Sequence, residues 1–163
     1  YSSHLVYKNK LFSSKYLNID KRGIRLNGKS HSKKDAPKKE VNIWFSGGSN
    51  IFGVTNADHQ TVPAYLETLL EEYYKDINFN VRNFGVVGYT SIQELLNIRF
   101  NLLSDFKKPD ILVVMNGVND YQNAFLSKDD NFETFLSAFC FHQKQINKQK
   151  YKTQPTLLNT SST

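Results

Sequence analysis

The stretch VNIWFSGGSNIFG at positions 41–53 decides the fold class of this chain. Its apolar run, Ile43 to Phe45, consists of residues that favour β-structure, and the Ser-Gly-Gly that follows breaks the run. Two consecutive glycines allow the backbone to reverse sharply and lift the side chain of Ser49 clear. The stretch predicts a buried strand that leads into a tight turn carrying a serine. Open α/β sheets hold their reactive groups at that place.

The Gly-Gly-Ser turn has two other interpretations. Such tripeptides are common in ordinary loops, where the serine has no chemical role. A phosphate-binding loop is the second alternative, but no Gly-Lys-Ser/Thr follows and the glycine spacing does not match a dinucleotide fingerprint. A role for Ser49 therefore depends on support from other parts of the sequence.

Two later segments repeat the pattern of a strand followed by a small-residue loop. Residues 81–91 read VRNFGVVGYTS, a strand-like run, then glycines, then a helix start. Residues 109–120 read PDILVVMNGVND, in which the apolar run Ile111–Met115 is typical of a central parallel strand covered on both faces. If all three loops follow the carboxyl ends of parallel strands, their polar side chains can converge on one crevice.

Strands and helices alternate along the middle of the chain. We expect strands at 42–46, 80–84 and 111–115 and helices at 62–74 and 92–103. The second helix has Thr90 or Ser91 as a candidate N-cap, with Glu94 at capping-box spacing from Ser91. This alternation predicts parallel βαβ units with right-handed crossovers, that is, a three-layer α/β/α domain with a parallel sheet. No convincing strand follows Met115, so we expect the sheet to be truncated at its C-terminal side.

The ordered set of three loops resembles the SGNH (GDSL-type) hydrolase family, in the variant whose first block is Gly-Gly-Ser. The resemblance covers about 18–124 and rests on residues 47–49, the Asn83-x-Gly85-x-x-Gly88 pattern, residues 117–120 and the lead-in at 18–25. The fold implied is the flavodoxin-like α/β/α architecture of that family.

The resemblance implies a role for three residues. Ser49 is the expected nucleophile, and the oxyanion is expected to be held by the backbone N–H groups of Ser49 and Gly88 and the side-chain amide of Asn119. Donors aimed at a developing oxyanion are worth about 3–4 kcal/mol each. Structural roles remain as alternatives, a turn-stabilising amide for Asn119 and a turn that leads into a helix for Gly88.

A serine hydroxyl needs a base to take its proton. In the family the base is a histidine in a final Asp-x-x-His block, and this sequence contains no such block. Its four histidines are His4, His31, His59 and His142. The sequence thus favours a serine-dependent ester hydrolase acting on an acylated carbohydrate or lipid, with two alternatives: a catalytically inactive binding module and a carbohydrate O-acyltransferase.

Composition and charge limit the partners and cofactors that we expect for this chain. The net charge is +6, but the lysines fall in runs typical of solvated segments, without the interleaved aromatics of a nucleic-acid binder, so no nucleic-acid partner is expected. No cofactor or metal is expected, and the one cysteine, Cys140, excludes an internal disulfide. No apolar run is long enough to span a membrane, and any membrane association would come from a segment upstream of Tyr1.

We expect an extended arm and lysine-rich loop (1–40), the α/β domain (41–142) and a polar tail (143–163).

Overall fold

The computed structural model describes Leu5, residues 7–28 and residues 39–126 of the chain. The strands are β1 (Phe12–Ser13), β2 (Asn18–Ile19), β3 (Lys39–Gly47), β4 (Ile77–Asn83) and β5 (Ile111–Met115). The helices are α1 (Ser49–Phe52), a 3-10 helix (Asp58–Gln60), α2 (Val62–Tyr73), α3 (Ser91–Leu102) and α4 (Val118–Leu126). The predicted tail at 143–163 lies outside the described residues.

A parallel sheet in the order β4-β3-β5 forms the centre of the molecule. The register runs from Lys39 opposite Ile77 on one side of β3 to Gly47 opposite Met115 on the other. Because all three strands point the same way, the loops that follow them emerge at one edge of the sheet. The predicted convergence of these loops is therefore a property of the topology.

Side chains of β3 alternate between two apolar layers. Ile43 and Phe45 face one side and pack with Leu66 and Leu70 of α2. Trp44 faces the other side and is fully buried in a second cluster. That cluster also contains Ile24, Phe84, Phe106 and Leu102 of α3. The parallel sheet is flanked by helices on both faces, which confirms the predicted three-layer α/β fold.

Each of the two long helices begins at a threonine. Thr61 Oγ1 accepts a hydrogen bond from Ala64 N at 3.3 Å, and Pro63 lies in the first turn of α2. At α3 the N-cap is Thr90, and its backbone N–H donates to Gln93 Oε1 at 3.2 Å. The predicted capping pair of Ser91 with Glu94 is wrong, because the helix starts one residue earlier than that pairing requires.

Exposure departs from prediction at β5 and varies along the N-terminal arm, where Leu5 is buried and Tyr7 half-buried, whereas Leu11 and Phe12 are 70% and 51% exposed. Strand β5 was expected to be covered on both faces. Among the described residues it pairs with β3 alone, and Ile111, Leu112, Val114 and Met115 are 42–53% exposed. β5 therefore forms the edge of the sheet in the described part of the chain.

Residues 1–40 were expected to form an extended arm and a lysine-rich loop, and Ile24 and Arg25 depart from that expectation. Ile24 is buried against Trp44, and Arg25 is only 1% exposed. Backbone bridges join Arg25 to Ile19 on one side and to Asn83 of β4 on the other. A backbone hydrogen bond from Arg25 N to Asn83 O, at 3.2 Å, holds Ile24 and Arg25 against β4, whereas Lys21, Arg22 and Leu26 are exposed.

Candidate active site

Ser49 stands on the turn that follows β3. Gly48 precedes it as the N-cap of α1, and Gly53 N closes the short helix by donating to Ser49 O at 2.8 Å. A β-carbon at Gly47 would lie 2.5 Å from Ile51 Cγ1 and 2.7 Å from Met115 O, so only glycine fits there. The tight packing beneath the turn leaves Ser49 itself exposed to solvent. The local structure agrees with the strand, turn and serine predicted from the sequence.

Asn119 reaches the same turn from the end of β5. Gly117, with φ of +97°, turns the chain into α4, and Asn119 lies in the first turn of that helix. Asn119 Nδ2 donates to Tyr89 O at 2.7 Å and lies 2.7 Å from the position of a β-carbon at Gly48. An amide nitrogen carries two N–H groups, so one bond to Tyr89 leaves a second donor. Asn119 thus connects the loop after β5 to the loop after β4, rather than stabilising only its own turn.

Gly88 lies in the loop between β4 and α3. Its φ is +80°, a conformation that favours glycine, and Tyr89 N closes the turn by donating to Val86 O at 3.2 Å. The hydroxyl of Tyr7 covers this turn: it donates to Val87 O at 2.8 Å and would lie 2.8 Å from a β-carbon at position 88. Tyr89, in turn, donates through its hydroxyl to Tyr7 O.

A small crevice of about 60 Å³ lies at the carboxyl ends of β3 and β5. Its lining comes from three segments: residues 48–50, residues 115–119 and Glu94. The structure therefore brings Ser49 and Asn119 to one crevice. Gly88 is not among its lining residues, although the next residue, Tyr89, bonds directly to Asn119.

Glu94 is the ionisable side chain of this crevice among the described residues. It lies one turn into α3, is only 2% exposed, and its Oε2 atom has no hydrogen-bond partner in the described part of the chain. Burial, followed by the nearby negative charge of Asp120, raises the pKa of Glu94 from 4.5 to about 7. Sequence reasoning treated Glu94 only as a capping residue, because its burial depends on contacts between distant loops.

Asp120 ties α4 to the start of α3. Its carboxylate accepts hydrogen bonds from Ser91 N at 3.0 Å and from Ser91 Oγ at 2.9 Å. These bonds satisfy a free N–H at the first turn of α3, where a negative charge is also favoured by the helix dipole. The negative charge of Asp120 is thereby held close to Glu94.

A buried ion pair supports the serine turn from behind. Arg25 Nε bonds Asp58 Oδ1 at 3.1 Å, and the two side chains are 0% and 4% exposed. The guanidinium also donates to the carbonyl oxygens of Phe52, Gly53 and Asn56, which lie at the end of α1 and in the loop that follows. The sequence signal for this contact was the lead-in at 18–25, whose function could not be inferred without the fold.

His59 is the one histidine among the described residues. It is exposed on the 3-10 helix and does not line the crevice. His4, His31 and His142 lie outside the described residues, as does Cys140.

Within residues 5, 7–28 and 39–126, no group of three or more potential metal ligands occurs. Across those same residues, no helix combines the length and the hydropathy of a membrane span.

Comparisons with known proteins find similar solved structures. A crystal structure of AlinE4, described as an SGNH-hydrolase family esterase, is 26% identical over 68% of this chain, with a TM-score of 0.48. Two mutants of the esterase AlinE4 are 25% and 23% identical over 71% of this chain, with TM-scores of 0.48 and 0.47. The chain spans 57% of the length of each. No family model and no curated protein matches.

Proposed function

We propose that this protein is a serine-dependent ester hydrolase of the SGNH type, with Ser49 as its nucleophile. The observation that carries the proposal is the shared crevice: Ser49, exposed on its glycine turn, and Asn119, from the end of a different strand, line the same small space. The three sequence blocks that resemble the SGNH family support the same assignment.

In the proposed reaction the hydroxyl of Ser49 attacks the carbonyl carbon of an ester. Negative charge then develops on the carbonyl oxygen, and fixed N–H donors stabilise it more than they stabilise the uncharged ester. The backbone N–H of Ser49 and the second N–H of Asn119 are the donors available beside the crevice, and the Gly88 N–H is the third donor implied by the family resemblance. Asn119 is fixed by its bond to Tyr89, so little reorganisation is needed when charge appears.

The size of the crevice favours a short acyl group. Its volume of about 60 Å³ suits an acetyl group better than a long acyl chain. An alcohol portion of any size could remain outside, because Ser49 faces solvent. We therefore propose short acyl esters, including acylated carbohydrates, as the substrate class.

The test is hydrolysis of p-nitrophenyl acetate and p-nitrophenyl octanoate by the full-length protein. We expect turnover of the acetate, a kcat/KM at least tenfold lower for the octanoate, and loss of both activities in Ser49→Ala. Ser104→Ala, which removes the hydroxyl of an exposed serine that does not line the crevice, is the matched control and should remain active. Equal turnover by the wild type and Ser49→Ala would end the proposal.

A further inference from the structure

The loop that follows β4 contains a turn whose central peptide can adopt two orientations. Residues 86–89 form this turn, which is closed by the bond from Tyr89 N to Val86 O at 3.2 Å, and Gly88 is its third residue, with φ of +80°. A positive φ at the third residue is characteristic of a type II turn, whereas a type I turn has a negative φ there. The two types differ chiefly by a rotation of about 180° of the central peptide, here the one that joins Val87 to Gly88. Because glycine adopts either sign of φ readily, Gly88 does not fix this orientation by itself.

The orientation of the central peptide decides where the Gly88 N–H points. The C=O of Val87 and the N–H of Gly88 belong to one peptide plane and, because this peptide is trans, they point in opposite directions. A contact that fixes Val87 O therefore also fixes the direction of the Gly88 N–H. A flipped peptide would present a carbonyl oxygen where the N–H had been, and that oxygen cannot donate to an oxyanion.

Tyr7 holds the Val87 carbonyl from the N-terminal arm. Its hydroxyl donates to Val87 O at 2.8 Å, across 80 positions of sequence. Burial raises the pKa of Tyr7 above its ordinary value, so the hydroxyl keeps its proton at neutral pH. A hydrogen bond to the carbonyl also polarises the peptide and strengthens its N–H as a donor.

The arm is anchored on both sides of Tyr7. Gln93 Nε2 donates to Leu5 O at 3.2 Å, and the side-chain amide of Asn9 donates to a backbone carbonyl of the loop after β4 at 3.0 Å. The hydroxyl of Tyr89 donates to Tyr7 O, and the two tyrosine rings pack edge to face with their centroids 5.3 Å apart. These contacts fix the Tyr7 hydroxyl over the turn.

From this geometry we infer that Tyr7 is a positioning residue that locks the peptide between Val87 and Gly88 in the orientation in which the Gly88 N–H serves the oxyanion. The inference rests on the proposed ester hydrolase function. The last residue of the turn, Tyr89, accepts from Asn119 Nδ2 at 2.7 Å, so the turn is joined directly to a second expected oxyanion donor. Tyr7 does not line the crevice, and it reaches an ester only through the turn that it holds.

The experiment measures kcat and KM for p-nitrophenyl acetate, and the rate at which a fluorophosphonate labels Ser49, in the full-length protein. Tyr7→Phe removes the hydroxyl alone and should lower kcat and the labelling rate by about 10–100-fold, less than outright removal of a donor, because the peptide still samples the productive orientation. KM should stay within about twofold, since the oxyanion donor stabilises the transition state more than the bound ester. Tyr73→Phe, which removes the hydroxyl of a tyrosine that is 77% exposed at the end of α2, is the control and should match the wild type.

Tyr89→Phe provides an independent check. It frees Tyr7 O and loosens the arm but leaves the Tyr7 hydroxyl in place, so kcat should fall by about threefold or more with KM unchanged. The double variant should have a kcat no lower than that of Tyr7→Phe, because both changes act through the same hydroxyl.

The outcomes separate the two proposals. If the wild type is not labelled at Ser49, the ester hydrolase function fails and the role of Tyr7 fails with it. If the wild type is labelled and Tyr7→Phe keeps kcat within threefold, only the role of Tyr7 is overturned. A KM that rises as much as kcat falls also overturns it, because general loosening of the site would then explain the loss. If Tyr7→Phe does not fold, Tyr89→Phe decides: an unchanged kcat overturns the inference, and a lower kcat at unchanged KM supports it.

Discussion

Arg25 shows how one side chain can fix the position of the serine turn. It is buried, pairs with Asp58, and satisfies carbonyl oxygens at the end of α1 that would otherwise lack a donor. Arg22 and Asp105 form an ion pair at the surface, at 3.0 Å. The two arginines therefore allow a buried ion pair to be compared with an exposed one.

Arg25→Ala is expected to destabilise the protein by about 3–5 kcal/mol, because Asp58 is left as an unpaired buried charge. Arg22→Ala should change the free energy of unfolding by less than about 1 kcal/mol, since an exposed ion pair contributes little. Urea unfolding followed by circular dichroism measures both. Similar values for the two variants would contradict the role given to the buried pair.

Gly48 and Asn119 are expected to act as one unit. A β-carbon at Gly48 would lie 2.7 Å from Asn119 Nδ2, so Gly48→Ala should push the amide away from the crevice. We expect Gly48→Ala and Asn119→Ala each to lower kcat for p-nitrophenyl acetate by about 100–1000-fold. The double variant should be no slower than Asn119→Ala, because both changes remove the same donor. Losses that multiply in the double variant would show that Gly48 acts separately.

At the scale of elements, the strands and helices were predictable and their exposure was not. Strand β5 has the predicted bounds, and α2 and α3 differ from prediction by one residue at one or both ends. Strands β3 and β4 each begin three residues earlier than predicted. The bounds of these elements can be predicted because the spacing of apolar residues and the positions of glycines are features of the local sequence. The exposure of Ile111 and the burial of Arg25 and Glu94 depend on which distant segment lies opposite each of them. Of the residues that line the crevice, the sequence singled out Ser49 and Asn119 and not Glu94, for this reason.

The start of α2 provides a prediction at the same scale. Thr61 is fully buried, caps Ala64 N, and donates through its hydroxyl to Asp58 O at 3.2 Å. Thr61→Ala should destabilise the protein by about 1–2 kcal/mol, while Thr61→Ser should retain most of the capping energy. Thermal unfolding of both variants tests this. A serine variant as unstable as the alanine variant would assign the effect to the methyl group instead.

At the scale of the whole molecule, burial of Glu94 makes stability depend on pH. Its pKa is about 7 in the folded protein and near 4.5 when unfolded, so between these values only the folded state keeps the proton. Stability should therefore fall as pH rises from 4.5 to 7, by about 3 kcal/mol at most. Glu94→Gln should remove this fall. Urea unfolding at pH 5 and pH 8 measures it, and an equal pH dependence in both proteins would contradict the assigned pKa.

The central claim is that three loops at one edge of a parallel sheet make Ser49 reactive. Intact-mass and peptide mass spectrometry after fluorophosphonate treatment of the full-length protein tests it most directly. We predict one adduct per chain, located on Ser49, absent from Ser49→Ala and slower to form in Asn119→Ala. An unmodified wild type, or an adduct that forms equally in Ser49→Ala, would contradict the claim.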